Sequence, residues 1–459
     1  MPARKTRRDV LKATVAAGAA VGAAIGTKPA LADESDAGGE WAQYQYGPAN
    51  AGRTPDAWGR TDGVQERWVV HTEATGVTSP VVFGGVLYVG DAKGVVRALD
   101  IDTGDELWRH EVPDSVSGSL AYDNGTIYAA CLDNYLYAID AETGEEEWSS
   151  WSDSSLRLAP TVVNNRIYLG NRSDETFFAY GSVTGTRNWT FDVNGPVTSV
   201  AAVSDRTVYF ARRSTIFALD SMSGDEQWRY IDAGRVTAAP TVSGGTLFLA
   251  SLNGAVHAVD TDTGEQLWSF ETNDAIQRSP AVGNGMVYVG GEDNNVYALD
   301  VDTGELQWVL ETDGRISTDP IVAGGMVYVG SHDRSVYGVE AATGTVLWEL
   351  ERTVANGSPA FVDGVLYLVN ASGTITALDT SVMPTETPTP TSPHGGDPTQ
   401  PDEMPTETPG PGEEQGSGGQ VGSGLDPTDE GGLSLSVLLG TVGMVLLGIG
   451  LVVRKMLAD

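Results

Sequence analysis

Residues 280–308 read PAVGNGMVYVGGEDNNVYALDVDTGELQW, and most of the chain repeats this pattern. PAVGNGMVYVGG holds two short alternating runs around Asn284-Gly285; NNVYALD is a third run, and ELQW opens a fourth. Valine, tyrosine and leucine alternating with small or polar residues suit half-buried antiparallel strands. Gly285 supplies the positive φ of a tight hairpin, and Asp300, Thr303 and Gly304 form the next turn, with side chains able to cap backbone N–H groups. The pattern returns at 80–108, 240–268 and 320–348, and more loosely at 120–148, 160–189 and 200–228. An eighth copy starts at Pro359 and stops near Asp379, before any tryptophan. Trp68, Trp108, Trp148, Trp189, Trp228, Trp268, Trp308 and Trp348 lie 39 to 41 residues apart. Four strands repeated at this period are the mark of propeller blades.

The expected fold is therefore all-β, an eight-bladed β-propeller of four-stranded antiparallel blades over residues 62–380. The eighth copy lacks its fourth strand, while a stray strand around Glu66, Trp68 and Val70 precedes the first copy. Pairing the two would close the ring and remove the open sheet edge. The tryptophans are expected to be structural, each wedged between neighbouring blades.

The two ends read differently. Residues 1–32 carry Arg7-Arg8, an Ala/Gly/Val-rich run and Ala30-Leu31-Ala32, the three parts of a twin-arginine (Tat) export signal. Residues 33–61 form a leader segment. Residues 381–432 are Thr, Pro, Glu and Gly with few apolar residues, too little to bury a core, and read as a disordered stalk. Residues 433–453 contain no charge and suffice for a C-terminal transmembrane helix. Arg454 and Lys455 follow, so residues 454–459 are expected in the cytoplasm and the propeller on the extracellular side of the cell membrane.

The formal net charge is −35, and Lys93 is the one lysine between Ser35 and Asp379. Such a surface stays hydrated at high salt and argues against nucleic acid as a partner. Cys131 is the single cysteine, so no intrachain disulfide forms.

The repeated A-L-D-x-x-T-G-x-x-x-W resembles the quinoprotein (PQQ-like) propeller repeat, and the leader 41–57, WAQYQYGPANAGRTPDA, resembles the segment preceding such propellers in exported haloarchaeal proteins. The family holds quinone-dependent dehydrogenases and non-enzymatic scaffolds, among them the bacterial propeller lipoprotein that helps assemble outer-membrane barrels. For the dehydrogenase branch the resemblance implies PQQ stacked between a tryptophan and a disulfide of adjacent cysteines, and calcium held by Glu, Asn and Asp. One cysteine and a nearly constant repeat length speak against both, so no catalytic residue, metal or cofactor is assigned. The preferred function is a non-catalytic binding or assembly scaffold; the alternative is a quinone-dependent dehydrogenase or quinone-binding redox protein.

Asp100 with Asp102, and Asp300 with Asp302, tempt a calcium reading, but Glu142, Met222 and Ala342 stand at the second position elsewhere, so a structural turn is expected. His71, His110, His257 and His332 have no ligand spacing. Asn124, Asn171, Asn188 and Asn370 open N-x-Ser/Thr sequons, hence possible N-glycosylation. One departure from the repeat is patterned. Loops between blades and between second and third strands share one face, and these carry Arg157, Arg235, Gln277, Arg278, Arg315, Asp319 and Asn356 near the channel, with Lys93, Arg172, Arg212, Arg213 and Arg334 farther out. The opposite loops are short, uniform and acidic. The arginine-bearing mouth is the candidate binding face, for a protein or an anionic or polar ligand.

Overall fold

The computed structural model describes residues 41–54, 63–173, 175–231, 233–351 and 357–380. Eight four-stranded antiparallel sheets make up this part of the chain. Strands are named A to D from the axis outward; in blade 1 they are Val81–Phe83, Val86–Gly90, Val95–Asp100 and Glu106–Glu111. Strands B and C are buried nearly throughout, whereas D alternates exposed and covered residues. That alternation fits an outer strand with one face on the blade core and its edge in water.

The ring closes as the sequence implies. Gln65–His71 pairs antiparallel with Thr374–Asp379 and becomes strand D of blade 8, outside Ala360–Val362 and Val365–Val369. No helix of the described residues is long and apolar enough to cross a membrane. The export signal (1–32), the stalk (381–432), the span (433–453) and the tail (454–459) lie outside the described residues.

The recurring Thr-Gly and Trp fit together across each blade boundary. The Trp108 indole N–H of blade 1 donates to the Ala141 carbonyl of blade 2 at 3.0 Å, and the Tyr88 hydroxyl reaches the same carbonyl at 3.2 Å. Trp148 and Tyr128 share Ser182 in this way, and Trp189 and Tyr168 share Ser221. Above each indole lies the glycine of the following blade's turn. Gly144 has φ 75°, and a Cβ there would stand 2.7 Å from the Trp108 ring; Gly304 has φ 73° and would stand 2.6 Å from Trp268. Glycine is thus required by backbone conformation and by space together. Trp348 faces blade 8, whose strands C and D are not joined by a turn, and its N–H has no partner among the described residues.

The axis is occupied by the leader. Inner strands expose their free edges toward the channel, and residues 41–54 satisfy those edges blade by blade. Val82 exchanges two backbone bonds with Trp41, and Tyr122 donates to Ala42. The Gln43 side-chain amide accepts from Val162 N–H at 2.8 Å and donates to Val162 C=O at 2.7 Å. Val203 then donates to Pro48, Val242 to Ala49, Val282 to Ala51 and Val322 to Gly52. Seven blades are met in chain order.

Candidate functional site

Two faces follow from the connections. Turns between A and B pair with turns between C and D, as where Ile101 N–H donates to Gly85 and Ala141 to Gly125. Loops between blades pair with turns between B and C, as where His332 N–H donates to Arg315 and Leu252 to Arg235. The last described residue is Thr380, whose N–H donates to Gly364 in an A–B turn. It is therefore on the first face, opposite the arginine-bearing loops.

On the Thr380 face the Asp-x-x-Thr-Gly turns are built around their first carboxylate. Asp300 Oδ1 accepts from Asp302 N–H, Thr303 N–H and Thr303 Oγ1 at 3.1, 2.9 and 2.9 Å. Asp100 and Asp260 repeat the arrangement. Hydrogen bonds from Thr303 hold the Asp300 carboxyl below its ordinary range, and those from Thr103 do the same for Asp100. Oδ1 of each of these carboxylates is thus engaged by the donors of its own turn.

On the other face the expected residues separate into groups. Asp319 is 3% exposed and lies beneath the mouth rather than at it. Its Oδ1 accepts from Ser279 N–H at 2.8 Å, and its Oδ2 accepts from the Tyr44 hydroxyl at 2.6 Å. Burial pushes its pKa up, opposed by the Arg278 charge and these donors. Tyr44 comes from the leader and is itself pushed well up, first by burial and then by Asp319. Gln45, next along the leader, is fully buried, and both its side-chain amide atoms lack partners among the described residues.

Arg315 pairs with Glu292 at 3.0 Å and Arg334 with Glu351 at 3.2 Å, so part of the expected basic mouth is neutralised locally. Arg278 and Arg315 both act on His332, whose pKa is lowered by burial and then by these two charges. Gln277 is exposed in the loop before blade 6. Arg157 and Arg235 are exposed in the loops before blades 3 and 5. Between them stands Arg172, on the B–C turn of blade 3, donating to Thr198 C=O at 3.4 Å. Its guanidinium pKa is lowered by desolvation, then by Arg157 and Arg235. The structure thus brings Arg157, Arg172 and Arg235 together, although Arg172 reads from the repeat as peripheral. Asn356 lies outside the described residues.

The sequons also divide. Asn124 and Asn188 are exposed, whereas Asn171 is fully buried with its amide on Ser154, and the Asn370 carbonyl oxygen accepts from Ser372 and Thr374. A glycan on Asn171 or Asn370 would need these turns to open. Cys131 is buried, its thiol donating to Asp114 C=O, and burial pushes that thiol to about 12.

The leader is what the repeat pattern misses. Its residues are not repeated, but the A strands offered a signal: each has a central edge facing the axis, and in blades 1 to 7 the leader meets it.

Comparison with known proteins agrees with this geometry. Residues 56–117, 92–235, 184–275, 212–315 and 252–397 match the family described as outer membrane protein assembly factor BamB. A 1-butanol dehydrogenase (cytochrome c) of Thauera butanivorans is 29% identical over 173 residues, covering 32% of this chain and 24% of that one. Outer membrane protein assembly factor BamB of Burkholderia pseudomallei is 23% identical over 130 residues, covering 28% of this chain and 34% of that one. The chain thus matches only about a quarter to a third of the length of these curated relatives. The crystal structure of BamB from Moraxella catarrhalis superposes with a TM-score of 0.61 at 19% identity, covering 69% of this chain and 100% of that one, a likeness of fold. The matched stretches together span all eight blades, and the chain belongs to the BamB family of PQQ-like repeat β-propellers.

Proposed function

We propose that this protein is a non-catalytic binding or assembly scaffold that captures a protein partner through the arginine-bearing face. The observation that carries the reading is the set Arg157, Arg172, Arg235 and Arg278. None has a carboxylate within 4 Å among the described residues, and neither do Arg212 and Arg213 on the same face or Arg53 and Arg166 elsewhere, in a chain of net charge −35, whereas Arg67, Arg97, Arg109, Arg187, Arg206, Arg229, Arg315 and Arg334 each have one. With acids in such excess, arginines gathered on one face and without a carboxylate among the described residues are a basic feature that the ion pairs of the described residues do not account for. Assembly factors among its relatives support a protein as the partner.

The same reading makes the chain an exported, membrane-tethered protein: a twin-arginine signal over 1–32, a stalk over 381–432 and a span over 433–453, with the propeller outside. The position of Thr380, bonded to Gly364 on the face opposite the arginines, supports it.

A second reading, a quinone-dependent dehydrogenase, draws on the partial identity to the butanol dehydrogenase. The residues present do not fit the group it needs. The implied disulfide takes two adjacent cysteines, and Cys131 stands alone under a backbone carbonyl. Among the described residues no group of three or more His, Cys, Asp or Glu is placed to hold a metal, and both Asp319 oxygens are engaged. No step through a quinone is derived.

The test is capture of surface proteins by the full chain in detergent, with Arg157, Arg235 and Arg278 changed together to Ser. Capture should be lost while the melting temperature is kept. Capture that survives, or dye reduction on adding quinone and calcium, would overturn the scaffold reading.

A further inference from the structure

We propose that Arg157, Arg172 and Arg235, continued by Arg213 and Arg278, form a track for an acidic polypeptide segment whose Asp or Glu side chains seat one after another on blades 3 to 6. This rests on the scaffold reading and names the partner chemistry of its face.

The positions are set by the loops. Arg157 precedes blade 3, and Arg172 turns at the top of that blade's second hairpin, reaching the loop before blade 4 through Thr198 C=O. The N–H of Arg213, on the corresponding turn of blade 4, donates to Thr198 Oγ1, and its carbonyl accepts from Val236 N–H, beside Arg235. Arg278 follows before blade 6, its Nε unpartnered among the described residues. The backbone thus links the three B–C and interblade loops that carry Arg172, Arg213 and Arg235. Like charges held this way raise one another's free energy; the Arg172 pKa is lowered first by desolvation and then by Arg157 and Arg235. An anion laid along the track relieves that repulsion, so the empty arrangement favours occupancy.

Multivalency decides what kind of anion. Each exposed guanidinium–carboxylate pair contributes little by itself. Five such groups on an arc over four blades hold firmly only a ligand that presents several carboxylates at once, as an extended strand with alternate acidic side chains does. A phosphate ion meets at most a few of the five. A long nucleic acid extends its charge well beyond this arc, into the field of a chain of net charge −35 that repels it.

The experiment uses the full chain in detergent and a labelled peptide of ten glutamates, followed by anisotropy across a salt series. Binding is expected to weaken with salt and to fall at least about tenfold in the Arg157→Gln, Arg172→Gln, Arg235→Gln triple variant. Arg109→Gln, an outer-strand arginine paired with Glu106, should bind as the unaltered protein does. Far-UV circular dichroism confirms folding, and the single variants Arg157→Gln and Arg235→Gln, both exposed, should each give part of the loss. Equal binding by the triple variant overturns the track. So does displacement of the peptide by inorganic phosphate at matched charge, which would mean a compact oxyanion site, or tighter binding of a single-stranded oligonucleotide. If the peptide does not bind while capture of a surface protein still depends on these arginines, the scaffold reading stands and the acidic track falls.

Discussion

Tyr44 and Asp319 meet at the axis across 275 positions of sequence, the phenol donating to Oδ2 at 2.6 Å. The bond ties the leader to blade 7 and encloses a carboxyl whose pKa is raised, chiefly by burial. A folded-state pKa above the unfolded one means that folding favours the protonated form. Stability from this group is then greatest below the ordinary carboxylate value, about 3.9, and declines as pH rises through the higher folded value. Asp319→Asn keeps an acceptor for Ser279 and removes the buried charge. Its melting temperature should match the unaltered protein at low pH and exceed it at neutral pH; a loss at neutral pH would contradict the assignment.

The turn carboxylates have the opposite sign. Asp100, Asp220 and Asp300 are held below their ordinary range, each first by hydrogen bonds from the Thr or Ser three residues on. Their contribution is complete above the unfolded carboxylate pKa and is lost as pH falls through the lower folded value. Changing all three to Ala should therefore lower the melting temperature at neutral pH and narrow that difference at strongly acidic pH. Thermal melts over a pH series read both effects.

Gly304→Ala should destabilise by about 2–4 kcal/mol, since it forces a left-handed alanine and drives a methyl into Trp268. Gly285, also at positive φ (75°), has nothing within 4 Å of its missing Cβ, so Gly285→Ala should cost only the backbone part, about 1 kcal/mol. Urea melts of the two variants separate conformation from crowding.

Gln43→Ala removes both bonds to Val162 from a buried side chain and leaves that strand's N–H and C=O unmet. The expected cost is about 2–4 kcal/mol, with earlier hydrogen exchange at Val162.

Deleting residues 65–71 strips strand D from blade 8 and exposes the edge of Thr374–Asp379. Sedimentation should show self-association through that edge; a monomer with unchanged melting would contradict its role in closure.

The repeat made the ring, its blade count and its closure legible, because Trp, Thr-Gly and the hairpin glycines each answer a constraint imposed once per blade. Gly304 illustrates why: backbone and neighbouring indole both demand glycine, so the residue survives in every turn. Gln43 meets a strand edge that every blade repeats, and Tyr44 meets Asp319 alone, but the leader residues that do so are not themselves repeated, so a period of 40 does not announce them. Arg172 was legible as a residue but not as a neighbour of Arg157 and Arg235, since only the folding of three loops onto one face puts them together. Asp319 showed the reverse: its departure from the repeat was visible, yet its burial depends on a tyrosine far upstream.

The leader calls on blades 1 to 7 in the order in which they are synthesised. Each of these seven blades, once made, has its hydrogen-bonding place in a segment synthesised before it, so assembly can proceed as a spiral around residues 41–54. Thr374–Asp379, the last strand to be synthesised, is the partner of Gln65–His71, so the seam of the ring cannot form before the whole propeller sequence exists.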